Sequence, residues 1–441
     1  MNRIYKPAFV LLFSTFGVLA FAQETKMLTL DEAVNLGIQN SKSLKIDAAK
    51  IEEATANYVN AKNHKLPDFN VSASALALTN ATVDLKMVKE SEDGGGGMPK
   101  ANTAMYGSAN LSFPIYAGGK IKYGIKSAEY LVEASKLSVE NDKTEIAYNV
   151  AEAYNNLYKA NQTIKVLNEN LKASQERDKN FLNMENNGVI ARNDRLKANL
   201  QTSNIELQLL DAENNYNIAN INMDLLLGLP ETTIIEVDPA YTTENLQEEN
   251  VSYYLEQAFQ NRKDVQALDY QKKAAELGTK AAKAENLPTI ALTAGYIAAD
   301  IPKILSVYNA ANIGVGIQYN IGNLWKKNSS LMNAKAQINK LNATNELLDD
   351  QIKLEVNRDF QNYLLAKRKI EVYEKAVDQA NENYRITKNK YENGLETITN
   401  FLEADAAQIS ANVNAANAKA DAALAYKKLL QTTGILTSDL N

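Results

Sequence analysis

Residues 146–171 read IAYNVAEAYNNLYKANQTIKVLNENL. Their apolar residues recur at alternating steps of four and three, and a 3.5-residue repeat of this kind is typical of coiled-coil seams. The segment lies inside a longer stretch, 120–187, which contains no proline and could form a helix about 100 Å long. Two of the eight seam positions carry alanine, whose small side chain lets a helix pack closely against several neighbours. The seam residues are Ile146, Val150, Ala153, Leu157, Ala160, Ile164, Leu167 and Leu171.

The composition excludes several classes of function. The 441 residues include no cysteine and a single histidine, His64, which argues against disulfides, thiolate metal sites and a serine–histidine triad. The net charge of −6 at pH 7 offers no basic surface for nucleic acid. We therefore expect no catalytic residue, no metal ligand, no cofactor and no nucleic-acid partner, and the protein is predicted not to be an enzyme.

The first 22 residues predict a secretory signal peptide. Arg3 and Lys6 precede an apolar run, and residues 20–22 read AFA, which fits the small-x-small cleavage rule. Beyond this segment the sequence contains no run of 18 apolar residues that would predict a membrane-spanning helix. If the mature chain crosses a membrane, we expect it to do so as a β-barrel.

One order of elements is predicted twice, as helix, strand, strand and long helical hairpin. The strands are recognised as short alternations of apolar and polar residues. The first repeat, 23–230, has a helix at 28–65 that opens with a Thr29–Glu32 capping box, strands at 67–79 and 103–116, and a hairpin at 120–227 with its tip near 188. The second repeat, 251–434, has a helix at 251–286, strands at 289–299 and 312–321, and a hairpin at 325–430 with its tip near 394. A linker at 231–250 separates the repeats, and a C-terminal tail follows at 435–441.

Constant spacings indicate that the second repeat is a duplicate of the first. Pro67 and Pro288 are 221 residues apart, whereas Gly188 and Gly394, at the two hairpin tips, are 206 residues apart. The two spacings differ by 15 residues. The difference arises between the two strands of each repeat, where the first copy has a longer, glycine-rich loop at 80–102.

The predicted strands imply an assembly of several chains. Amphipathic strands of about ten residues are long enough to cross a bilayer when tilted. Four strands cannot close a barrel, since closed barrels need about eight or more, so the barrel would be shared between two or three copies. The polar faces of the long helices require them to project from the membrane as a bundle. Gly188 and Gly394 would then lie far from the membrane, with the loops 80–102 and 300–311 at the opposite end.

The chain resembles the TolC-like outer-membrane efflux protein family over about 28–434. The resemblance rests on the repeated element order, on residues 113–119, FPIYAGG, before the first long helix, and on the two glycine-containing tips. It implies a homotrimer in the cell outer membrane, with a twelve-stranded barrel in contact with lipid and a helical tunnel through the periplasm. It further implies docking onto a periplasmic adaptor protein and an inner-membrane pump. Drug, metal and protein export all remain open.

The resemblance also implies a gate at the hairpin tips. Glu403 occupies an acidic-ring position of the family, and Asn400 replaces the other acidic residue. Asp194 and Tyr391 match a gate aspartate and a gate tyrosine. Three copies of Glu403 would form a constriction that attracts cations. The tip residues expected to contact the adaptor are Gly188, Val189, Ile190, Gly394 and Leu395.

One gate feature of the family is missing from this sequence. Glu396 stands where some members carry an arginine, so the family's gate salt bridge cannot form in the same way. Arg192 and Arg195 are the nearby arginines that could replace it.

The alternative interpretation is a periplasmic coiled-coil protein with a structural or adhesive role and no pore. The four amphipathic strands distinguish the two hypotheses, because a coiled-coil protein without a pore has no need of them.

Overall fold

The computed structural model describes residues 25–82, 100–243, 249–302 and 304–436. The predicted signal peptide, most of the glycine-rich loop and residues 437–441 of the tail lie outside these ranges. The helices are α1 (Leu30–Asn40), α2 (Lys42–Asn63), α3 (Lys120–Asn186), α4 (Arg192–Leu227), α5 (Val251–Asn261), α6 (Lys263–Ala284), α7 (Ser329–Glu392) and α8 (Ile398–Thr432). The strands are β1 (Thr25–Leu28), β2 (Asp68–Thr82), β3 (Lys100–Tyr116), β4 (Ile234–Val237), β5 (Thr289–Ile301) and β6 (Leu305–Gln318).

The chain forms two compact units, and each of them draws on both predicted repeats. The first unit comprises the described residues of Met1–Asn40, Val150–Asn245 and Arg368–Leu424, and the second comprises those of Ser41–Asn149, Leu246–Lys367 and Ala425–Asn441. The hairpin tips belong to the first unit. The four long strands belong to the second.

The two long helices are the most extended elements of the chain. α3 has 67 residues and α7 has 64, which corresponds to about 100 Å each. α3 occupies the range predicted from the seam. α7 begins at Ser329, four residues later than the predicted start at 325, because a 3₁₀ turn at Ile321–Leu324 precedes it. The side chain of Asn320 caps this turn by accepting a hydrogen bond from the Gly322 N–H at 3.1 Å.

The predicted single helices at 28–65 and 251–286 are each two helices, which corrects the prediction. The first breaks at Ser41 and the second at Arg262, where the backbone ψ angles of 121° and 123° are those of extended chain. Ser41 then caps α2, because its hydroxyl accepts from the Leu44 N–H at 3.2 Å. These breaks are 221 residues apart, the spacing already seen between Pro67 and Pro288.

The predicted linker at 231–250 contains a strand, so the described chain has six strands and not four. β4 pairs in parallel with β1, a strand that the sequence did not predict. The hydroxyl of Tyr154 on α3 donates to the Leu28 carbonyl at 2.8 Å and accepts from the Asp238 N–H at 2.7 Å. Strands of four residues are too short to display a clear alternation, and this explains why pattern analysis missed them.

The four long strands form one antiparallel sheet in the order β2-β3-β5-β6. The strand predicted at 312–321 begins seven residues earlier, at Leu305, and ends at Gln318, so most of the predicted loop 300–311 is strand. The alternation is interrupted where Asn309 adopts a φ of +59° and the pairing with β5 shifts register. A bulge of this kind shifts the alternation of inward and outward side chains by one residue. The apolar–polar pattern of β6 is therefore broken at the bulge, and the sequence predicts only the part of the strand that follows it.

Each unit has its own apolar core. In the first unit, α3, α4 and α8 pack around a cluster of Leu167, Ile205, Leu209, Ala212 and Ile409. In the second, α5, α7 and α8 pack around Tyr254, Ala258, Ile352, Val356, Tyr363 and Leu429. In the part of the chain that the structure describes, no helix has the length and apolar character needed to span a membrane.

Candidate functional site

The two hairpins turn in the same way. Gly188 and Gly394 adopt φ angles of +70° and +72°. In both turns the residue after the glycine donates its N–H to the carbonyl five positions earlier, at 2.8 Å. This is the Schellman closure of a helix end. Positive φ costs a residue with a side chain about 1–2 kcal/mol, so the backbone itself favours glycine at both tips.

The predicted docking residues differ in their accessibility. Val189 and Leu395 are exposed at the turns, and neither glycine has another atom within 4 Å of the position a Cβ would take. Ile190 is half-buried and packs on an apolar group that we call the tip cluster. The surface open to a partner therefore consists of Val189, Leu395 and the glycine backbone. The tip cluster consists of Phe181, Ala198, Ile398 and Phe401 with Met184, Ile190, Tyr384, Tyr391 and Leu402 around them.

Tyr391, a predicted gate residue, forms part of this cluster. Its ring stacks on Phe401 with a centroid distance of 5.3 Å and an interplanar angle of 11°, and it lies 5.7 Å from Phe181. Burial raises the pKa of the Tyr391 hydroxyl, and the negative charge of Asp194 raises it further. Tyr391 thus joins α7 to both α3 and α8 as a neutral aromatic side chain.

Asp194, the predicted gate aspartate, is half-buried in the first turn of α4. Lys197 Nζ lies 3.6 Å from its carboxylate and donates a hydrogen bond to Thr399 Oγ1 at 3.3 Å. Lys197 therefore connects the first hairpin to the second through polar contacts. The sequence did not identify this lysine as part of a link between hairpins.

Neither arginine proposed to replace the missing family arginine joins the two hairpins. Arg195 forms a short ion pair with Glu185, across the turn of its own hairpin. Arg192 is exposed and forms no ion pair with any other residue in the described ranges. A connection between the hairpins must therefore come from other residues.

Asn400 and Glu403 differ in their surroundings. Asn400 donates through Nδ2 to Glu396 Oε1 at 2.6 Å. The pKa of Glu396 is lowered by the Thr397 backbone N–H and by this contact, so its carboxylate stays charged. Glu403 is exposed and has no ion-pair partner within the described chain. Of the two predicted ring residues only Glu403 carries a charge, and its side chain is exposed in the described chain.

A cleft of about 730 Å³ opens between the turns and the tip cluster. Its aromatic wall is formed by Phe181, Tyr384, Tyr391 and Phe401. Four acidic and two basic residues also line it: Glu176, Asp194, Glu392, Glu396, Arg177 and Lys388. Within the described ranges, no three carboxylate or imidazole groups are arranged to hold a metal ion. The cleft is therefore an acidic, partly aromatic groove beside the exposed turns.

Arg177 and Asp405 form a buried ion pair that the sequence did not reveal. Arg177 Nη2 on α3 lies 3.0 Å from Asp405 Oδ2 and 3.1 Å from Oδ1 on α8. The guanidinium also lies 5.2 Å from the centre of the Phe401 ring. Burial raises the pKa of Asp405, while the charge of Arg177 opposes that rise. The two residues are 228 positions apart, and no local sequence pattern indicates that they form a pair.

The four-stranded sheet of the second unit has two different faces. On one face Ser72 Oγ and Ser108 Oγ lie 2.9 Å apart, and Asn110 donates to the same Ser108 oxygen at 3.2 Å. The other face is apolar and exposed; Ile313, for example, is 77% accessible. Its members include Phe69, Val71, Leu111, Leu292, Ile313 and Val315, which the strand pairing brings to one side. A continuous exposed apolar face of this kind indicates contact with lipid or with another protein.

The chain matches the family described as outer membrane efflux protein over residues 33–229 and 254–435. No protein in the curated set that was compared is significantly similar in sequence.

Several solved structures have the same fold. The outer membrane protein VceC from Vibrio cholerae is 19% identical with a TM-score of 0.75, covering 92% of this chain and 96% of that chain. A membrane protein from Pseudomonas aeruginosa is 17% identical with a TM-score of 0.79, covering 92% of each. The CmeC outer membrane channel of Campylobacter jejuni is 18% identical with a TM-score of 0.74, covering 99% of this chain and 94% of that one.

Proposed function

The chain belongs to the outer membrane efflux protein family and is an efflux channel of the outer membrane, and from this premise we propose that three copies build one exit duct, gated at the hairpin tips. The duct is passive, and an inner-membrane pump supplies the energy for export. The observation that carries this proposal is the amphipathic four-stranded sheet. Its apolar face is exposed, and its two edges are unpaired in the part of the chain that the structure describes.

The sheet edges support the homotrimer. β2 has 15 residues and β6 has 14, and each leaves one side of its backbone without a strand partner among the described residues. In lipid, each unsatisfied backbone group costs several kcal/mol, so an open edge must pair. We infer that β2 of one copy pairs with β6 of the next, which gives a closed ring by rotational symmetry. Three copies would provide twelve strands, the number that the family resemblance implies.

The two faces of the sheet define the inside and the outside of the duct. Ile313 and the other apolar residues would contact outer-membrane lipid, and the serine and asparagine side chains of the opposite face would line a polar lumen. The recurrence of the element order in both halves supports an internal duplication. Each half would then supply two strands and one helical hairpin to the wall.

The gate would be formed at the tips, where two hairpins of each chain end. Asp194 and Tyr391 link the hairpins through the tip cluster and through Lys197. The hydrogen bond from Asn400 holds the Glu396 side chain against the first turn of α8. The Glu403 carboxylate is accessible and has no ion-pair partner among the described residues, and three copies of it would place three negative charges around one constriction.

The adaptor protein would dock on the exposed turns. Val189, Leu395 and the backbone of Gly188 and Gly394 offer a small apolar surface, and the adjacent cleft has more acidic than basic residues. A helical tip of an adaptor with apolar and basic side chains would complement this surface.

Single-channel conductance of the purified protein in planar bilayers tests this function. We expect a heat-stable trimer with a small, cation-selective conductance that multivalent cations block. Glu403→Ala should lose the cation block, whereas Glu213→Ala, which removes an exposed carboxylate from the middle of α4, should retain it. A monomer without conductance would contradict the duct, and unchanged block in Glu403→Ala would contradict the constriction.

A further inference from the structure

One row of residues across the four-stranded sheet consists only of asparagine and glycine. Strand pairing places Asn70 of β2 opposite Asn110 of β3. Asn110 in turn lies opposite Gly295 of β5, which lies opposite Asn312 of β6. Directly opposed residues of antiparallel strands project from the same face, and we call these four residues the amide row. The row belongs to the polar face of the sheet, because Asn110 also donates to Ser108 of that face at 3.2 Å.

Gly295 leaves a gap in the amide row, and the side chains of Asn110 and Asn312 border it from both sides. A Cβ at Gly295 would lie 3.0 Å from Asn312 Oδ1, 3.2 Å from Asn312 Nδ2 and 3.4 Å from Asn110 Oδ1. The Asn110 Nδ2 group is engaged with Ser108, so the oxygen of this amide is the atom that faces the gap. The exposed Asn312 amide forms no hydrogen bond with any other residue in the described ranges. The gap therefore presents a free donor and free acceptors side by side.

The sheet around the amide row offers hydrogen bonds but few charges. Among the described strands of this sheet, the acidic and basic residues are Asp68, Lys100 and Asp300, and each is at a strand end or one residue from it. Asn70 donates to Asp68 at 3.2 Å, which occupies that carboxylate at one end of the row. A solute at the row is therefore recognised through hydrogen bonds and not through ion pairs.

We propose that the amide row is a binding site for neutral, hydroxyl-rich solutes, and that oligosaccharides are the class of ligand that it retains. The proposal rests on the duct described above, in which each of three copies contributes one row to a common lumen. A sugar hydroxyl both donates and accepts, so it can donate to Asn110 Oδ1 and accept from Asn312 Nδ2 at the same gap.

The length of the sugar chain determines how well the row retains it. Each contact replaces a hydrogen bond to water, so a single hydroxyl gains little. A chain of several sugar rings contacts several amides at once, and linked weak contacts add up to measurable retention. Binding of this kind remains weak enough for the solute to leave, as passage through a channel requires. The row thus selects by hydrogen bonding, whereas Glu403 at the tips selects by charge.

The test measures how maltohexaose, a neutral oligosaccharide, interrupts the single-channel current of full-length trimers in planar bilayers. We expect transient blocks in the wild type. Asn110→Ala with Asn312→Ala should weaken the block at least about tenfold, since each copy loses both amides that border the gap. The control is Asn102→Ala, which makes the same chemical change near the first residue of β3, away from the row, and should be blocked like the wild type.

A second variant covers the possibility that the double variant fails to form a heat-stable trimer. Gly295→Ala keeps both amides, but its Cβ enters the gap 3.0 Å from Asn312 Oδ1, so it should also weaken the block. Polyethylene glycol of similar size has no hydroxyls along its chain and should block the wild type much less than maltohexaose does.

Three results would overturn the proposal: equal block by polyethylene glycol, a wild-type block in an intact double variant, or an equal loss of block in Asn102→Ala. Absence of conductance in the wild type would instead contradict the duct itself. In that case calorimetric titration of the detergent-solubilised protein with maltohexaose would test the row separately, and no difference in binding between wild type and double variant would overturn it.

Discussion

The hydroxyl of Tyr154 connects α3 to the small parallel sheet, because it donates to the Leu28 carbonyl of β1 at 2.8 Å. The same oxygen accepts from the Asp238 N–H just after β4 at 2.7 Å. Burial raises the pKa of Tyr154 to about 12, so it remains a neutral donor at any physiological pH. One side chain thus fixes both strands of the sheet to the long helix.

Tyr154→Phe should therefore destabilise the protein. The substitution removes one hydrogen bond from the buried Leu28 carbonyl and one from the half-buried Asp238 N–H, and each lost bond costs about 1 kcal/mol. We expect a lower midpoint in thermal unfolding of the detergent-solubilised protein. The control is Tyr158→Phe, one helical turn away, since the Tyr158 hydroxyl has no hydrogen-bond partner within the described chain. Equal effects of the two substitutions would show that the hydroxyl contacts do not matter.

The raised pKa of Asp224 implies that the stability of the protein depends on pH. It is fully buried near the end of α4, and burial, together with the charge of Glu231, raises its pKa to about 6. Its ordinary pKa of 3.8 applies in the unfolded chain, so the folded protein binds this proton more tightly. The stabilising contribution is complete below pH 3.8 and is lost as the pH rises through about 6.

Asp224→Asn should remove this dependence. The Asn220 amide, which donates to Asp224 Oδ2 at 3.0 Å, can donate to the new amide oxygen in the same way. Above pH 7 we expect the variant to be more stable than the wild type by on the order of 1–3 kcal/mol, since one pKa unit corresponds to about 1.4 kcal/mol. Denaturant unfolding at pH 5 and pH 8 measures the difference. Asp211→Asn, at an exposed position of α4, should leave the pH profile unchanged.

The elements that the sequence predicts well are those with a long, regular period. The seam of α3 extends over many turns, and the predicted hairpin 120–227 corresponds to α3 and α4 within one residue at their ends. Glycines 188 and 394 were identified as turn residues because positive φ is specific to glycine. These signals are local, so one sequence is sufficient to read them.

The features that escaped prediction depend on contacts between distant segments. The parallel pair of β1 and β4 joins residues more than 200 positions apart. Arg177 and Asp405 are 228 positions apart, and nothing in the neighbourhood of either indicates the other. Ile190 remains a predicted docking residue because it follows the first glycine, and its half-burial against the tip cluster could not be read from the sequence. Only the folded structure brings such residues together.

Alanine substitutions at the two tip glycines should destabilise the protein, whereas the same substitution inside a long helix should not. Gly188→Ala and Gly394→Ala should each cost about 1–2 kcal/mol, because alanine is strained at the positive φ of both turns. Gly124→Ala lies within α3, where no atom obstructs a Cβ, and should be neutral or stabilising by up to about 1 kcal/mol. Thermal unfolding would measure all three. A tip variant as stable as Gly124→Ala would contradict the left-handed turn.

The two faces of the sheet provide the last prediction, which concerns membrane insertion. Ile313 and Asn312 are neighbours on β6, and their side chains point to opposite faces. If the apolar face contacts lipid, Ile313→Lys places a charge in hydrocarbon, at a cost of about 2–4 kcal/mol near the bilayer centre. We expect a marked loss of heat-stable trimer in outer-membrane fractions. Asn312→Lys directs the same charge to the polar face and should assemble like the wild type. If both variants assembled equally well, or if Asn312→Lys were the more damaging, the assignment of the two faces to lipid and lumen would be wrong.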